Sequence, residues 1–368
     1  MPRVVRVARV LVTGAMFVVV GGPHFPAAVA QRQPAIGFNP LSFTAVSDNH
    51  YWLLGSVRCG RGRCNAILRT TDGGGSFARV NVPRLRSVDR GQVTPTLRFA
   101  DVRDGYLFTG GVDGVFYSTH DGGVSWHRLA LRSVLAFATG GGNAYVVTAR
   151  CSLERCTGYR FERSPVWADE WSAQPMPFAP DTSIVDLAAH GLNVWLLGTP
   201  RGGENGSGSD RLARSRDGGR SFAVTSGPCV PGLGGELAPT SARVVWAVCP
   251  TGMLAGGWRS TDGGATFERL RAPPMVNSAA LAPASRSTAV LARNGARTPL
   301  LRTTDGGARW ASVTTPETAI FVPWVGFTDA RVGAALVQTG CDATAKLERQ
   351  ALWRTADGGA HWSRVRLP

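Results

Sequence analysis

Six short phrases in this sequence are copies of one pattern: RTTDGGGSF (69 to 77), STHDGGVSW (118 to 126), RSRDGGRSF (214 to 222), RSTDGGATF (259 to 267), RTTDGGARW (302 to 310) and RTADGGAHW (354 to 362). RSPVWADEW (163 to 171) fits the same frame with Val166 where the Asp should stand and Ala168 where a Gly should stand, and it fills the one gap of double length. The Asp positions then run 72, 121, 166, 217, 262, 305 and 357, a period of 43 to 52 residues. Repetition at such a period means one supersecondary unit copied along the chain and stacked against its neighbours, because no single unit can bury its own apolar faces.

Each period carries four apolar runs in fixed order. About 20 residues before the phrase lies an aromatic-led run, YWLLGS, GYLFTG, AYVVTA, VWLLGT or VWAVCP, with TAVLAR and GAALVQ lacking the aromatic in the sixth and seventh repeats. A shorter alternating run precedes it (SFTAVS, LRFADV, IVDLAA, GELAPT), a third leads into the phrase, and a fourth such as SWHRLAL follows. β-Branched and aromatic runs bounded by Gly, Asp, Asn and Pro read as strands, and four strands per period without helical periodicity describe a propeller blade. The expected fold is all-β, a seven-bladed β-propeller of four-stranded antiparallel blades over 42–368, with 31–41 as an N-terminal segment whose part in closing the ring is open. Trp52, Tyr106, Tyr145, Trp195 and Trp246 are expected as wedges between blades. The Gly- and Ser-rich stretch 201–210 reads as a mobile loop.

The phrase resembles the Asp-box, or bacterial neuraminidase repeat, [ST]-x-D-x-G-x-x-[WF], carried first by Thr70, Asp72, Gly74 and Phe77 and last by Thr355, Asp357, Gly359 and Trp362. In families with this repeat the box is the turn between the third and fourth strands at the rim of a blade, which implies a structural role. The residues argue the same way. An Asp at the head of a tight turn accepts backbone N–H groups, Gly supplies positive φ, and the aromatic buries area beneath. Asp72, Asp121, Asp217, Asp262, Asp305 and Asp357 are therefore expected as turn residues spread around a ring. Calcium needs six to eight oxygens, and each box offers one carboxylate, so no metal and no cofactor is expected.

Outside the boxes carboxylates are scarce, and Asp48, Asp104 and Asp329 fall in turns. Aligning the first strands places Ser42, Arg98, Ala136, Asp186, Glu236, Ala280 and Gly326 at one level of the channel wall. Asp186 and Glu236 are thus the candidate catalytic pair, two carboxylates across a glycosidic bond, and Arg98 a candidate binding residue. Sialidases share the box, but the chain has no Arg-Ile-Pro phrase, no assignable arginine triad, and tyrosines mostly at packing positions. Xyloglucanase-like hydrolases use a cleft between two rings, and sortilin-type receptors add a cysteine-rich module. The chain more closely resembles the single-ring photosystem II assembly factor family, in which TTDGGxxW follows a Gly-Trp/Tyr strand; that resemblance implies a non-catalytic binding or assembly factor with an Arg-rich face.

The first thirty residues look like a signal peptide: a basic MPRVVRVAR, the apolar VLVTGAMFVVVGG, and Ala28-Val29-Ala30 before Gln31. The apolar run is too short to span a bilayer, so the expected product is secreted or held at the cell envelope. All seven cysteines follow the signal, where disulfides persist. Cys59/Cys64 and Cys151/Cys156 have hairpin-closing spacing, Cys229/Cys249 form a third candidate pair, and Cys341 is left over. Net charge is +15, or +12 once Arg3, Arg6 and Arg9 leave. Such a chain is attracted to a protein or an anionic cell-envelope polymer; no module for reading nucleic acid appears. The reading is a binding scaffold, with a glycan-active hydrolase using the channel carboxylates as the alternative.

Overall fold

The computed structural model describes residues 37–368 apart from 61, 86–94, 111–113, 132, 153–155, 201–207, 274, 277–278, 295–299 and 342–347. The expected signal peptide and most of the loop 201–210 lie outside the described residues. Seven antiparallel sheets follow one another along the chain, each built from consecutive strands. Blade 1 holds β1 (Asn39–Ala45), β2 (Tyr51–Cys59), β3 (Gly62–Thr70) and β4 (Ala78–Val80); blade 2 holds β5 (Thr96–Phe99), β6 (Gly105–Phe108), β7 (Phe116–Thr119) and β8 (His127–Arg128). Blade 3 holds β9 (Val134–Gly140), β10 (Asn143–Cys151), β11 (Cys156–Pro165) and β12 (Ser172–Gln174); blade 4 holds β13 (Ser183–His190), β14 (Asn193–Thr199), β15 (Arg211–Ser215) and β16 (Ala223–Ser226). Blade 5 comprises β17 (Glu236–Pro239), β18 (Val245–Pro250), β19 (Leu254–Ser260) and β20 (Glu268–Arg269), with the short β21 (Met275–Val276) also pairing β19. Blade 6 comprises β22 (Ala280–Pro283), β23 (Ala289–Ala292), β24 (Leu300–Thr303) and β25 (Ala311–Ser312); blade 7 comprises β26 (Phe321–Phe327), β27 (Gly333–Cys341), β28 (Glu348–Thr355) and β29 (Ser363–Arg364). The all-β, seven-bladed propeller read from the repeats is the fold of the chain.

Its core lies between blades. Trp52, Leu54 and Ile67 of blade 1 pack on Leu97, Phe99 and Leu107 of blade 2, with Trp52 and Phe99 stacked at 3.8 Å between ring centroids. Trp195 and Leu197 of blade 4 pack on Leu237, Val245 and Ala247 of blade 5. The five expected wedges, Trp52, Tyr106, Tyr145, Trp195 and Trp246, are all fully buried. In blade 6 the wedge position holds Val290, and the volume at its seam with blade 7 is filled by Trp353 and Trp362.

First strands of successive blades touch, β9 against β13, β13 against β17 and β22 against β26, which makes them the wall of the central channel. The ring closes by packing blade 7 on blade 1 without exchanging a strand. Phe43 meets Trp324 at 5.3 Å, the Phe38 N–H donates to the Pro368 carbonyl at 3.3 Å, and the Gln350 N–H donates to Asn39 Oδ1 at 2.9 Å. Strand β1 begins at Asn39, three residues ahead of the expected edge at Ser42, because Asn39 takes part in this closure.

Candidate functional site

The repeated turn has one hydrogen-bond plan. In blade 5 the Ser260 hydroxyl donates to Asp262 Oδ1 at 2.7 Å and accepts the Gly264 N–H at 2.7 Å. Asp262 then accepts the N–H groups of Ala265 and Thr266 at 2.9 and 3.0 Å, and the Thr266 hydroxyl at 2.6 Å. The same plan recurs around Asp72, Asp121, Asp217, Asp305 and Asp357. Donors aimed at the ionised form hold the carboxyls of Asp72, Asp217, Asp262 and Asp357 far below the usual carboxylate range. An Asp held ionised by the donors of its own turn is a poor general acid. Gly264 needs its φ of 96°, and a Cβ there would stand 2.7 Å from Leu212 of the preceding blade, so this glycine serves the turn and the seam together.

The arginine that opens the phrase is a seam residue, a role that reading the phrase as an isolated turn misses. Arg214 stands over the Trp195 ring at 5.8 Å and donates through Nη1 to the Asp262 carbonyl at 3.1 Å in the next blade. Trp195 Nε1 donates beside it to the Gly263 carbonyl at 2.8 Å. Arg163 reaches Gly218 at 3.1 Å, Arg302 reaches Gly358 at 2.8 Å, and Arg354 closes the ring on Gly73 and Asp48, both at 2.9 Å. Each arginine therefore clips its blade to the carbonyls of the following turn, and a cation over an aromatic face adds to the hold.

The channel-wall alignment holds in part. Register pairs Ser42 with Leu54, Ala136 with Val147, Asp186 with Leu197, Glu236 with Val248 and Ala280 with Ala292, which sets those five at one level. Arg98 pairs with Tyr106 and Gly326 with Ala334, one level away; the residues at the level of Asp186 are Thr96 and Trp324. The pairing of β5 with β6 is regular, and the irregularities at Pro40/Ser42, Ile184/Asp186 and Phe321/Trp324 lie beyond the aligned residues, so the offset is one of aligning short strands and not of a bulge.

Asp186 Oδ2 accepts the Leu237 N–H of the next blade at 2.7 Å. Ser42, at the same level, accepts the Leu97 N–H of its next blade at 3.1 Å. A serine and an aspartate thus make the same tie between inner strands. Asp186 is half-buried and Glu236 reaches solvent, but both are ringed by protein atoms. That enclosure pushes the Asp186 carboxyl up to about 7, against the pull of the Leu237 N–H and with Glu236 adding to the rise. Enclosure likewise raises Glu236 and lowers Arg98. No bond joins Arg98 to either carboxylate among the described residues.

The β2–β3-type hairpins and the links between blades emerge on one face, and the repeated turns on the other. Cys59–Cys64 and Cys151–Cys156 close hairpins on the first face, and Cys229–Cys249 ties the link after blade 4 to β18; all three pairs are those expected from spacing. Arg58, Arg150, Arg160, Arg211 and Arg349 are exposed at this end of their strands. None of them is in an ion pair among the described residues. No helix among the described residues is long and apolar enough to cross a membrane.

No family model matches the sequence, and no curated protein matches it. Among solved structures, the chain is similar to YCF48 bound to D1 peptide, with 16% identity, TM-score 0.52, and coverage of 87% of this chain and 93% of that one. It is similar to YCF48 from Cyanidioschyzon merolae at 15% identity, TM-score 0.54, covering 88% of this chain and 97% of that one. A puromycin-hydrolyzing peptidase of Mycobacterium tuberculosis also matches, at 11% identity and TM-score 0.59, over 90% of this chain and 53% of the other. At these identities the likeness is one of fold: a propeller that makes up most of two YCF48 chains and about half of a peptidase.

Proposed function

We propose that the chain is a non-catalytic scaffold that binds a protein partner through its hairpin face in an oxidising compartment at or beyond the cell envelope. The observation that carries this reading is the bond from Leu237 to Asp186. It gives Asp186, one of the two candidate carboxylates of the channel, a structural task that Ser42 performs elsewhere, and it leaves Glu236 without a free partner carboxylate. The six turn carboxylates are engaged by their own turns, while exposed arginines on the opposite face are in no ion pair among the described residues. Hairpin and inter-blade loops vary on a constant frame, which is where propellers place recognition. Three disulfides fit an oxidising compartment. YCF48, similar in fold, has a solved structure bound to a D1 peptide, which supports a protein as the class of partner. The raised Asp186 carboxyl is the one feature that favours a hydrolase, and enclosure accounts for it.

The test is a pull-down from envelope extract at low and at moderate salt with wild type and with Arg58→Glu/Arg349→Glu. A specific protein should be retained by wild type at moderate salt and lost at least tenfold, about 1.4 kcal/mol, by the charge reversal. Retention of acidic polymers alone, released as screening rises, would replace the protein partner with an anionic polymer.

A further inference from the structure

Six of the seven phrases open on arginine, and the exception is blade 2, where Ser118 takes that place and His120 stands two residues on. The turn this blade faces is also the exceptional one, 163–171, which lacks the Asp and both glycines. There the Ser164 hydroxyl donates to the Ala168 carbonyl at 2.6 Å, and the Val166 N–H, one residue earlier than the glycine N–H of other turns, donates to the Gly142 carbonyl at 3.0 Å. The rearranged turn presents Asp169 to blade 2. Ser118 Oγ donates to Asp169 Oδ2 at 2.8 Å, and the Tyr106 hydroxyl donates to the Val166 carbonyl at 3.2 Å. His120 lies between two carboxylates, with Nδ1 2.7 Å from Asp104 Oδ1 in its own blade and Nε2 3.4 Å from Asp169 Oδ2 in the next.

We propose that His120 is a proton-operated clasp between blades 2 and 3, standing where the other seams use a permanent arginine charge. An imidazolium donates from both ring nitrogens and so joins Asp104 to Asp169; a neutral imidazole has one N–H and turns a lone pair toward the other carboxylate. The charged groups around it are Asp101, Arg103 and Asp104 from the loop of blade 2, Asp121 from its own turn, Asp169 and Glu170 from blade 3, and Arg69 of blade 1, whose guanidinium lies against Gly122 of the same turn beside Trp52. Asp101 is held by the N–H groups of Arg103 and Asp104, Asp121 by its own turn, and Arg103 is exposed with no ion pair among the described residues. His120 is therefore the group that can supply positive charge between the two carboxylates. Asp169 also borders a 490 Å³ groove at this seam, lined by Thr148, Arg150, Arg160, Glu162 and Trp171 among others, so the clasp bears on the charge of one of its lining residues.

Hydrogen exchange of the full chain at about pH 5.5 and about pH 7.5, corrected for intrinsic chemical rates, reads this directly. Protection over 116–122 and 164–171 should fall roughly tenfold at the higher pH, the scale of one charged hydrogen bond, with the seam at 259–267 unchanged. His120→Gln should remove the local pH dependence. Persistence of the dependence in that variant, or its absence in wild type, would overturn the clasp. Ring-nitrogen NMR of His120 in the wild-type chain needs no variant: both ring N–H groups should be present wherever the seam is protected, and a ring with a single N–H in the protected state refutes the proposal.

Discussion

Trp195→Ala should lower the unfolding free energy by about 3–5 kcal/mol, the cost of deleting a buried indole that neighbours cannot fully refill. Trp195 is 0% exposed, packs on both faces of the seam between blades 4 and 5, donates to Gly263 and carries Arg214 above it. Removing it opens a cavity and leaves the Gly263 carbonyl without its donor, and both effects fall on one seam of a closed ring. Denaturant melts should show a lower midpoint with little change in slope. Trp167→Ala is the matched control: that side chain is 66% exposed, and its loss should stay within about 0.5 kcal/mol. A loss below about 1 kcal/mol at Trp195 would mean that the seams are not the core.

Thermal stability should peak at about pH 4–5 and collapse below it. The six turn carboxylates have folded pKa values depressed below the unfolded value. Their contribution is fully present above about pH 4 and is lost as pH falls from there through the folded values. Asp186 and Asp210 act with the opposite sign. Burial raises them to about 7 and about 6, so they bind protons more tightly when folded, and stability declines as pH climbs from about 4 toward those values. Melts across this range should therefore show a steep acid limb and a shallow neutral one. Asp262→Ala should cost about 1–2 kcal/mol near neutrality, through the backbone N–H groups it leaves unpaired, and make the acid limb less steep. Asp186→Asn keeps an oxygen for the Leu237 N–H and should flatten the neutral limb. An acid limb unchanged in Asp262→Ala would remove the turns as its origin.

The blade count and the turn were legible because both repeat. A single RSTDGGATF looks like a ligand loop; six in phase can only be corners of a ring. Wedge aromatics were legible for the same reason, and two of the three disulfides followed from hairpin spacing. The clip made by Arg214 and its counterparts was in view as the first letter of the phrase, yet its partners are carbonyls in the next blade, and no local pattern points to an acceptor 48 to 56 residues on. Arg98 was placed one level off because β5 is a four-residue strand, and its regular pairing, which sets Arg98 opposite Tyr106, cannot be read from aligning short apolar runs. The clasp at His120 was hidden for a different reason: it replaces the repeated device, and departures from a repeat read as erosion until the partner residues are seen together.

Whether the ring binds without breaking bonds is tested most directly by incubating wild type and Glu236→Gln with a panel of envelope glycans and reporter glycosides and following products by mass spectrometry. The expected result is intact glycan with both proteins. Turnover by wild type that is abolished by Glu236→Gln would contradict the scaffold and return the channel to the hydrolases.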